Sequence, residues 1–161
     1  QYLTRHRDSV FNQTDWSGGA VPDDEGLVTF PDNRFSASTD IDFSTTGSIV
    51  LSADQTYGTL TSSIFDTQRT TGAAFNSFLW QGNLGDGTVN FMIASSNSPS
   101  GPWGYNGDGY IYRSPGSVNP DTSVPIWPGI DNNKRYVRYR VYLTKTSNSP
   151  RIDDIIINWS P

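Results

Sequence analysis

From residue 135 the chain reads RYVRYRVYLTK, and its positions alternate between two characters. Val137, Tyr139, Val141 and Leu143 occupy one set, and Tyr136, Arg138, Arg140 and Tyr142 occupy the other. Successive side chains of a strand point to opposite faces. Period two therefore predicts a strand with Val137, Tyr139, Val141 and Leu143 toward the core and a Tyr–Arg–Arg–Tyr stripe on the other face. Strands are also predicted over SIVLSA (48–53), YGTLTSSIFDT (57–67), FNSFLWQGNL (75–84), TVNFMIASS (88–96), YIYRS (110–114) and RIDDIIINW (151–159). GDG at 85–87 reads as the short loop of a hairpin joining 75–84 to 88–96. The Gly/Pro/Asn-rich runs SNSPSGPWGYNGDG and PGSVNPDTSVPIWPG read as loops. Short strands separated by turns predict a sandwich or barrel, and no internal repeat stands out.

The front of the chain has a different pattern. Residues 12–47 are polar and Asp-rich, with aromatics scattered at Trp16, Phe30, Phe35 and Phe43 and turn chemistry at SGG (17–19) and VPDDEG (21–26). They read as an extended arm wrapping the domain, with short strands near Leu27–Phe30 and Ile41–Phe43, since a structureless loop of that length is unusual. Tyr2–Phe11 is the one segment with a helical reading. Its basic residues suit the C-terminal end of a helix dipole, and alone it is too short to be stable in water. It fits the last turns of a longer helix, or a disordered end. The expected organisation is a helix remnant with an arm over 1–47 and a β-sandwich over 48–161.

Composition agrees with strands. Ser and Thr total 36, Asn adds 12, and Glu and Lys number one and two, so helix-favouring residues are scarce. Hydrophobic residues make up only 34%, and the 13% that are aromatic must supply much of the core. Cysteine is absent, which excludes disulfides and thiolate-bound metals. The net charge is −5 with no basic tract, a poor match for nucleic acid. No stretch of eighteen apolar residues is long enough to span a bilayer. Signal and lipidation motifs are absent from the sequence as given, so the expectation is a cytosolic chain or one whose targeting segment was removed.

Three strings carry a resemblance: SSIFDT (62–67), FLWQGNLGDGTVNFMIASS (78–96) and RYVRYRVYLTKTSNSPRIDDIIINW (135–159). Together they resemble the galactose-binding-like, or discoidin-like, jelly rolls of exported bacterial proteins. FNQTDWSGG, followed by the arm and STTGSIVLSAD, resembles exported pilin-like proteins of the type IV filament superfamily. The resemblance implies an all-β antiparallel sandwich carried outside the cell by a hydrophobic N-terminal helix, with QYLTRHRD as the final turns of that helix. The Gly-Phe-Thr-x-x-Glu segment diagnostic of that superfamily is not in this sequence.

Several residues carry candidate chemistry. The Tyr136, Arg138, Arg140, Tyr142 stripe can stack sugars and pair with carboxylates or phosphates; alternatively it pairs with Asp153, Asp154 or other acids on a neighbouring strand. Trp103 and Tyr105 lie among glycines in a loop. They read either as a sugar-binding platform or as rings folded back to cap the core. Asn106 and Asp108 resemble the middle of a calcium loop, but Gly104 and Pro115 stand where an EF-hand needs acids. A structural calcium held by Asp side chains and carbonyls stays open; no other cofactor is expected. His6 is the only histidine, so a triad or a His-ligated metal would have to use it. Asp23, Asp24 and Glu25 lie in a turn, and Asp153 and Asp154 adjoin in a strand and should face opposite ways, so neither group reads as a glycosidase pair. Lys145 and Asn158 are the pair considered for an isopeptide bond.

The reading is a non-enzymatic, extracellular head domain of a pilin-like or cell-surface filament subunit, working in assembly or adhesion. Its expected partners are other subunits and a glycan, with no nucleic acid, and with membrane contact only through a helix upstream of the sequence given. The alternative is a carbohydrate-binding module of a larger secreted protein. A secreted hydrolase is a third reading, supported by nothing beyond the Asp count.

Overall fold

A computed structural model describes residues 10–21, 27–28, 33–103, 117–126 and 133–161. In chain order its strands are β1 (Val10–Gln13), β2 (Gly19–Ala20), β3 (Leu27–Val28), β4 (Arg34–Thr39), β5 (Ile41–Asp42), β6 (Val50–Leu51), β7 (Tyr57–Ser62), β8 (Ile64–Asp66), β9 (Ala74–Asn83), β10 (Thr88–Ser96), β11 (Val124–Pro125), β12 (Tyr136–Thr144) and β13 (Arg151–Ser160). The fold is all-β among the described residues.

Two larger sheets enclose one core. The first has the order β1-β13-β9-β11, all antiparallel. The second is built on β12, which pairs with β10 along one edge and with β7 and then β8 along the other. β4 extends it antiparallel beside β7, while β2 and β3 add short parallel pairings. β5 and β6 pair separately. Phe78 of the first sheet meets Phe91 of the second at 4.8 Å between ring centroids, and Phe11 meets Phe65 at 5.0 Å. The period-two reading of β12 holds on the inner side, where Val137, Tyr139, Val141 and Leu143 are fully buried.

The predicted hairpin of 75–84 with 88–96 does not form. β9 gives its hydrogen bonds to β13 in the first sheet, and β10 gives its own to β12 in the second. The residues between them carry the chain across the core instead of reversing it within one sheet. The connection from β12 to β13 crosses back beside it. Asp86 fastens the two crossings together: its carboxylate accepts the amides of Thr146, Ser147 and Asn148, each at 3.0 Å. The Ser147 amide leads, against a desolvation cost, and the Asn148 and Thr146 amides help hold the exposed Asp86 below the ordinary 3.8. Gly87 is required there, since a Cβ would come within 1.8 Å of the Thr144 carbonyl oxygen.

The front of the chain is built into both sheets. Val10 and Phe11 belong to β1, so the helical reading of Tyr2–Phe11 fails at those two residues; residues 1–9 lie outside the described residues. Phe11 stacks between Phe65 at 5.0 Å and Trp159 at 5.7 Å. Trp16, only 2% exposed, donates from Nε1 to the Tyr139 hydroxyl at 3.1 Å. Tyr139 in turn donates to Gln13 Oε1, and Gln13 Nε2 donates to the carbonyls of Asp15 and Arg34. Each side-chain polar group in this buried chain of bonds has a partner, which is the condition for placing it in an apolar core. Phe35 is buried too and stacks on Phe43 at 4.6 Å.

Two bulges re-aim side chains. Arg140 pairs with Thr61 and Val137 with Phe65, so Arg138 and Tyr139 face the three residues Ser62–Ile64. In β13 the pairing to β9 shifts between Ile152 and Asp154. Ile152 and Ile155 are both buried, which turns Asp153 and Asp154 outward together. The expectation that these two acids face opposite ways is thereby corrected. A bulge adds one residue, and one residue reverses the alternation.

Candidate functional site

The outer face of the second sheet carries the stripe predicted from β12. Register places Thr88, Thr144 and Tyr57 in one row across β10, β12 and β7. The next row is Asn90, Tyr142 and Thr59, and the third is Met92, Arg140 and Thr61. Ala94 lies opposite Arg138, and Ser96 and Asp66 flank Tyr136.

The face grades from buried to open. Arg138 is 3% exposed and Tyr136 is 8% exposed, whereas Tyr57 at the far end is 52% exposed. Arg138 owes its place to the bulge. Its Nη2 donates to the Ser62 carbonyl at 2.9 Å, while the Ser62 hydroxyl accepts the Tyr139 amide at 2.9 Å. The ring of Trp103 lies 5.4 Å from the Arg138 guanidinium carbon, a cation–π contact. Trp103 therefore sits on the outer face and is not part of the core cluster, which corrects the alternative of a ring capping the core.

The middle and open end are held by side-chain bonds. Arg140 Nε donates to Thr61 Oγ1 at 3.0 Å, and the Tyr142 hydroxyl donates to Met92 Sδ at 3.1 Å. The Tyr57 and Tyr142 rings lie 6.4 Å apart at 35°. The Thr88 and Thr144 hydroxyls hydrogen-bond to each other. These restraints leave an aromatic, hydroxyl-rich surface with fixed geometry.

The pairing once expected of the stripe with Asp153 and Asp154 is excluded, because β13 belongs to the other sheet. Among the described residues the acid paired in register with the stripe is Asp66, opposite Tyr136, and it holds Arg135 through two bonds of 2.8 and 3.0 Å. Burial opposes the Asp66 charge, but the Arg135 bonds, the Gln68 amide and the Arg135 charge outweigh it and hold the carboxyl below 3.8. Asp153 takes a bidentate bond from Arg151 at 2.9 and 3.0 Å. Burial, reinforced by the Asp153 charge and opposed by the Ile155 amide, pushes Asp154 above 3.8.

Tyr105, Asn106 and Asp108 lie outside the described residues, as do His6, Asp23, Asp24 and Glu25. Among the described residues no three His, Cys, Asp or Glu side chains converge on a cation site. Lys145 and Asn158 do not meet. Asn158 stands seven residues along β13 from the end that adjoins the Lys145 turn, roughly 23 Å of strand. Its amide nitrogen donates instead to Ser77 Oγ at 3.2 Å.

Sequence reasoning missed Tyr57, Thr59, Thr61, Asn90 and Met92. The signal existed in YGTLTS, where Tyr57, Thr59 and Thr61 alternate with the buried Gly58, Leu60 and Ser62. Only the register of β7 and β10 against β12 shows that these residues share the stripe's face.

No protein-family model matches the chain, and no curated protein matches it.

Proposed function

We propose that the chain is the extracellular head domain of a pilin-like, cell-surface filament subunit, working in assembly or adhesion and catalysing no reaction. In this reading the two-sheet fold is a galactose-binding-like jelly roll, and a hydrophobic helix upstream of the sequence given carries it. The observation that supports this most is how the front of the chain is fastened. Phe11, Gln13 and Trp16 tie β1 and the residues after it to Phe65, Trp159, Tyr139 and the Arg34 carbonyl. A head held from its N-terminal side needs such an anchor, because a pull arriving at β1 is then shared with both sheets.

The test is to express the native gene with its own upstream sequence and shear the cells. The expected result is the protein in the sheared surface fraction and open to protease on intact cells. Recovery in the cytosol would overturn the reading.

A second reading is a carbohydrate-binding module of a larger secreted protein. The exposed Tyr57 beside Tyr142 favours it, since aromatic faces on a rigid β scaffold suit sugar rings. An upstream coding sequence that holds a folded catalytic domain in place of an apolar helix would decide for it.

A further inference from the structure

We propose that the open end of the second sheet's outer face binds one or two rings of a neutral sugar, stacked on Tyr57 and Tyr142. The inference rests on the glycan-binding reading above and deepens it, naming the site and the class of ligand.

The contact area is small and open. Two rows define it: Tyr57, Thr144 and Thr88, then Thr59, Tyr142 and Asn90. With strands about 4.8 Å apart and alternate residues about 7 Å apart along each, the patch measures about 10 by 7 Å between Cα positions. That is room for one or two pyranose rings. Tyr57 is 52% exposed, and the other five residues are half-buried. The Tyr142 hydroxyl donates to Met92 Sδ on the neighbouring strand, so its ring leans across the sheet and keeps its orientation before a ligand arrives. A ring already fixed loses little rotamer freedom on binding. The Tyr57 ring stands 6.4 Å away at 35°, near enough for both to meet the C–H face of one sugar. The hydroxyls of Thr59, Thr88 and Thr144 and the Asn90 amide match the hydroxyl rim of that sugar.

Charge selects the class of ligand. The chain has 16 acids and 11 lysines and arginines, and none of them is among these six residues. A uronate needs a cation for its carboxylate, and a nucleic-acid strand needs cations for its phosphates; the two rows supply neither. Arg140 lies one row further on, where its Nε is bound to Thr61, and the patch does not draw on it. A protein partner calls for apolar side chains at the centre of the contact. The six include no Val, Leu, Ile or Met, whereas the outer face of the first sheet sets Leu79 against Ile156. Rings and hydroxyls without charge or aliphatic surface suit a neutral sugar.

The experiment is saturation-transfer NMR on the purified 161-residue chain. Lactose, cellobiose and N,N′-diacetylchitobiose are the neutral probes and digalacturonate the charged one, each at low and at high salt. At least one neutral probe is expected to take up saturation on the C–H protons of one ring face, equally at both salt levels, because no ion pair is there to be screened. Digalacturonate should bind more weakly by about fivefold or more. Tyr57→Ala should weaken the neutral probe by about tenfold while the melting temperature stays near that of the parent chain, and Tyr57→Trp should retain it, since the ring makes the contact. Four results would overturn the proposal: no transfer to any neutral probe, binding that falls with salt, digalacturonate bound equally or better, or an unchanged affinity in Tyr57→Ala. Tyr57-dependent dimerisation in sedimentation, without sugar binding, would overturn it too and assign the face to a second copy. The upstream coding sequence tests the module reading separately. A catalytic domain there, with a chain that ignores all three sugars, defeats only this inference; an apolar helix there, with a chain that binds one of them, defeats only the module reading.

Discussion

Each large sheet contains a bulged strand, and the two bulges leave different kinds of group without a partner: a neutral hydroxyl, Ser63 Oγ, in the second sheet and a carboxylate oxygen of Asp154 in the first. In the second sheet the extra residue near Ser62 frees a carbonyl and brings in a hydroxyl. Arg138 takes the carbonyl, and the hydroxyl takes the Tyr139 amide. In the first sheet the extra residue near Asp153 turns two carboxylates outward side by side. Asp153 is neutralised by Arg151, whereas Asp154 keeps a buried Oδ1 with no hydrogen-bond partner and an elevated pKa. The second-sheet bulge is a joint tied by Arg138 and Ser62 at the cost of one neutral orphan, whereas the orphan of the first-sheet bulge belongs to a charged group. A bulge stabilises a sheet only when the groups it releases find partners.

Removing the partner from the first kind of joint should have the largest effect. Arg138→Ala strips the donor from the Ser62 carbonyl and the stem from beneath Trp103, and is expected to cost about 3 kcal/mol in urea denaturation. Ser62→Ala leaves the buried Tyr139 amide without its acceptor and should cost about 1–2 kcal/mol. The two changes disrupt one joint, so the double variant should lose less than the sum. Strict additivity would show that Arg138 and Ser62 act independently.

The acids should separate by pH. The folded pKa of Asp66 lies below 3.8, so its stabilising contribution is complete above that value and is lost as pH falls through the lower, folded pKa. Asp66→Asn is therefore expected to lower the melting temperature at neutral pH and to match the parent chain in strong acid. Asp154 runs the other way. Its folded pKa lies above 3.8, so its ionisation destabilises the fold increasingly as pH rises from 3.8 through the folded value. Asp154→Asn should raise the melting temperature at neutral pH, with the gain vanishing below 3.8. A loss at neutral pH would mean that the carboxylate has a favourable partner after all. The smallest effect belongs to Arg151→Ala: its side chain is half exposed, and the change is expected to stay within about 0.5 kcal/mol.

The chain's legibility followed the range of the interactions. The alternation of Val137 to Leu143 is local, and it gave both the inner face of β12 and the stripe opposite. YGTLTS has the same local signal, yet Tyr57 counted for nothing until β7 was known to lie beside β12. The hairpin reading of 75–84 with 88–96 had turn chemistry in its favour. It failed because the GDG connection is held by Asp86 against a turn some sixty residues later, a partner no local pattern can show. Asp153 and Asp154 were assigned opposite faces by strict alternation, and a single extra residue undid that.

By itself the sequence determined strand content, the side of β12 that meets the core, and the residue types available on the other side, because each depends on neighbours within a few residues. Tertiary structure decided which strands share a sheet, where the ladders slip by one residue, and that Trp16 would reach Tyr139 across 123 positions of chain. Those outcomes depend on pairing free energy between distant segments, and pairing is settled only when the hydrogen bonds and apolar faces of the whole chain are satisfied together.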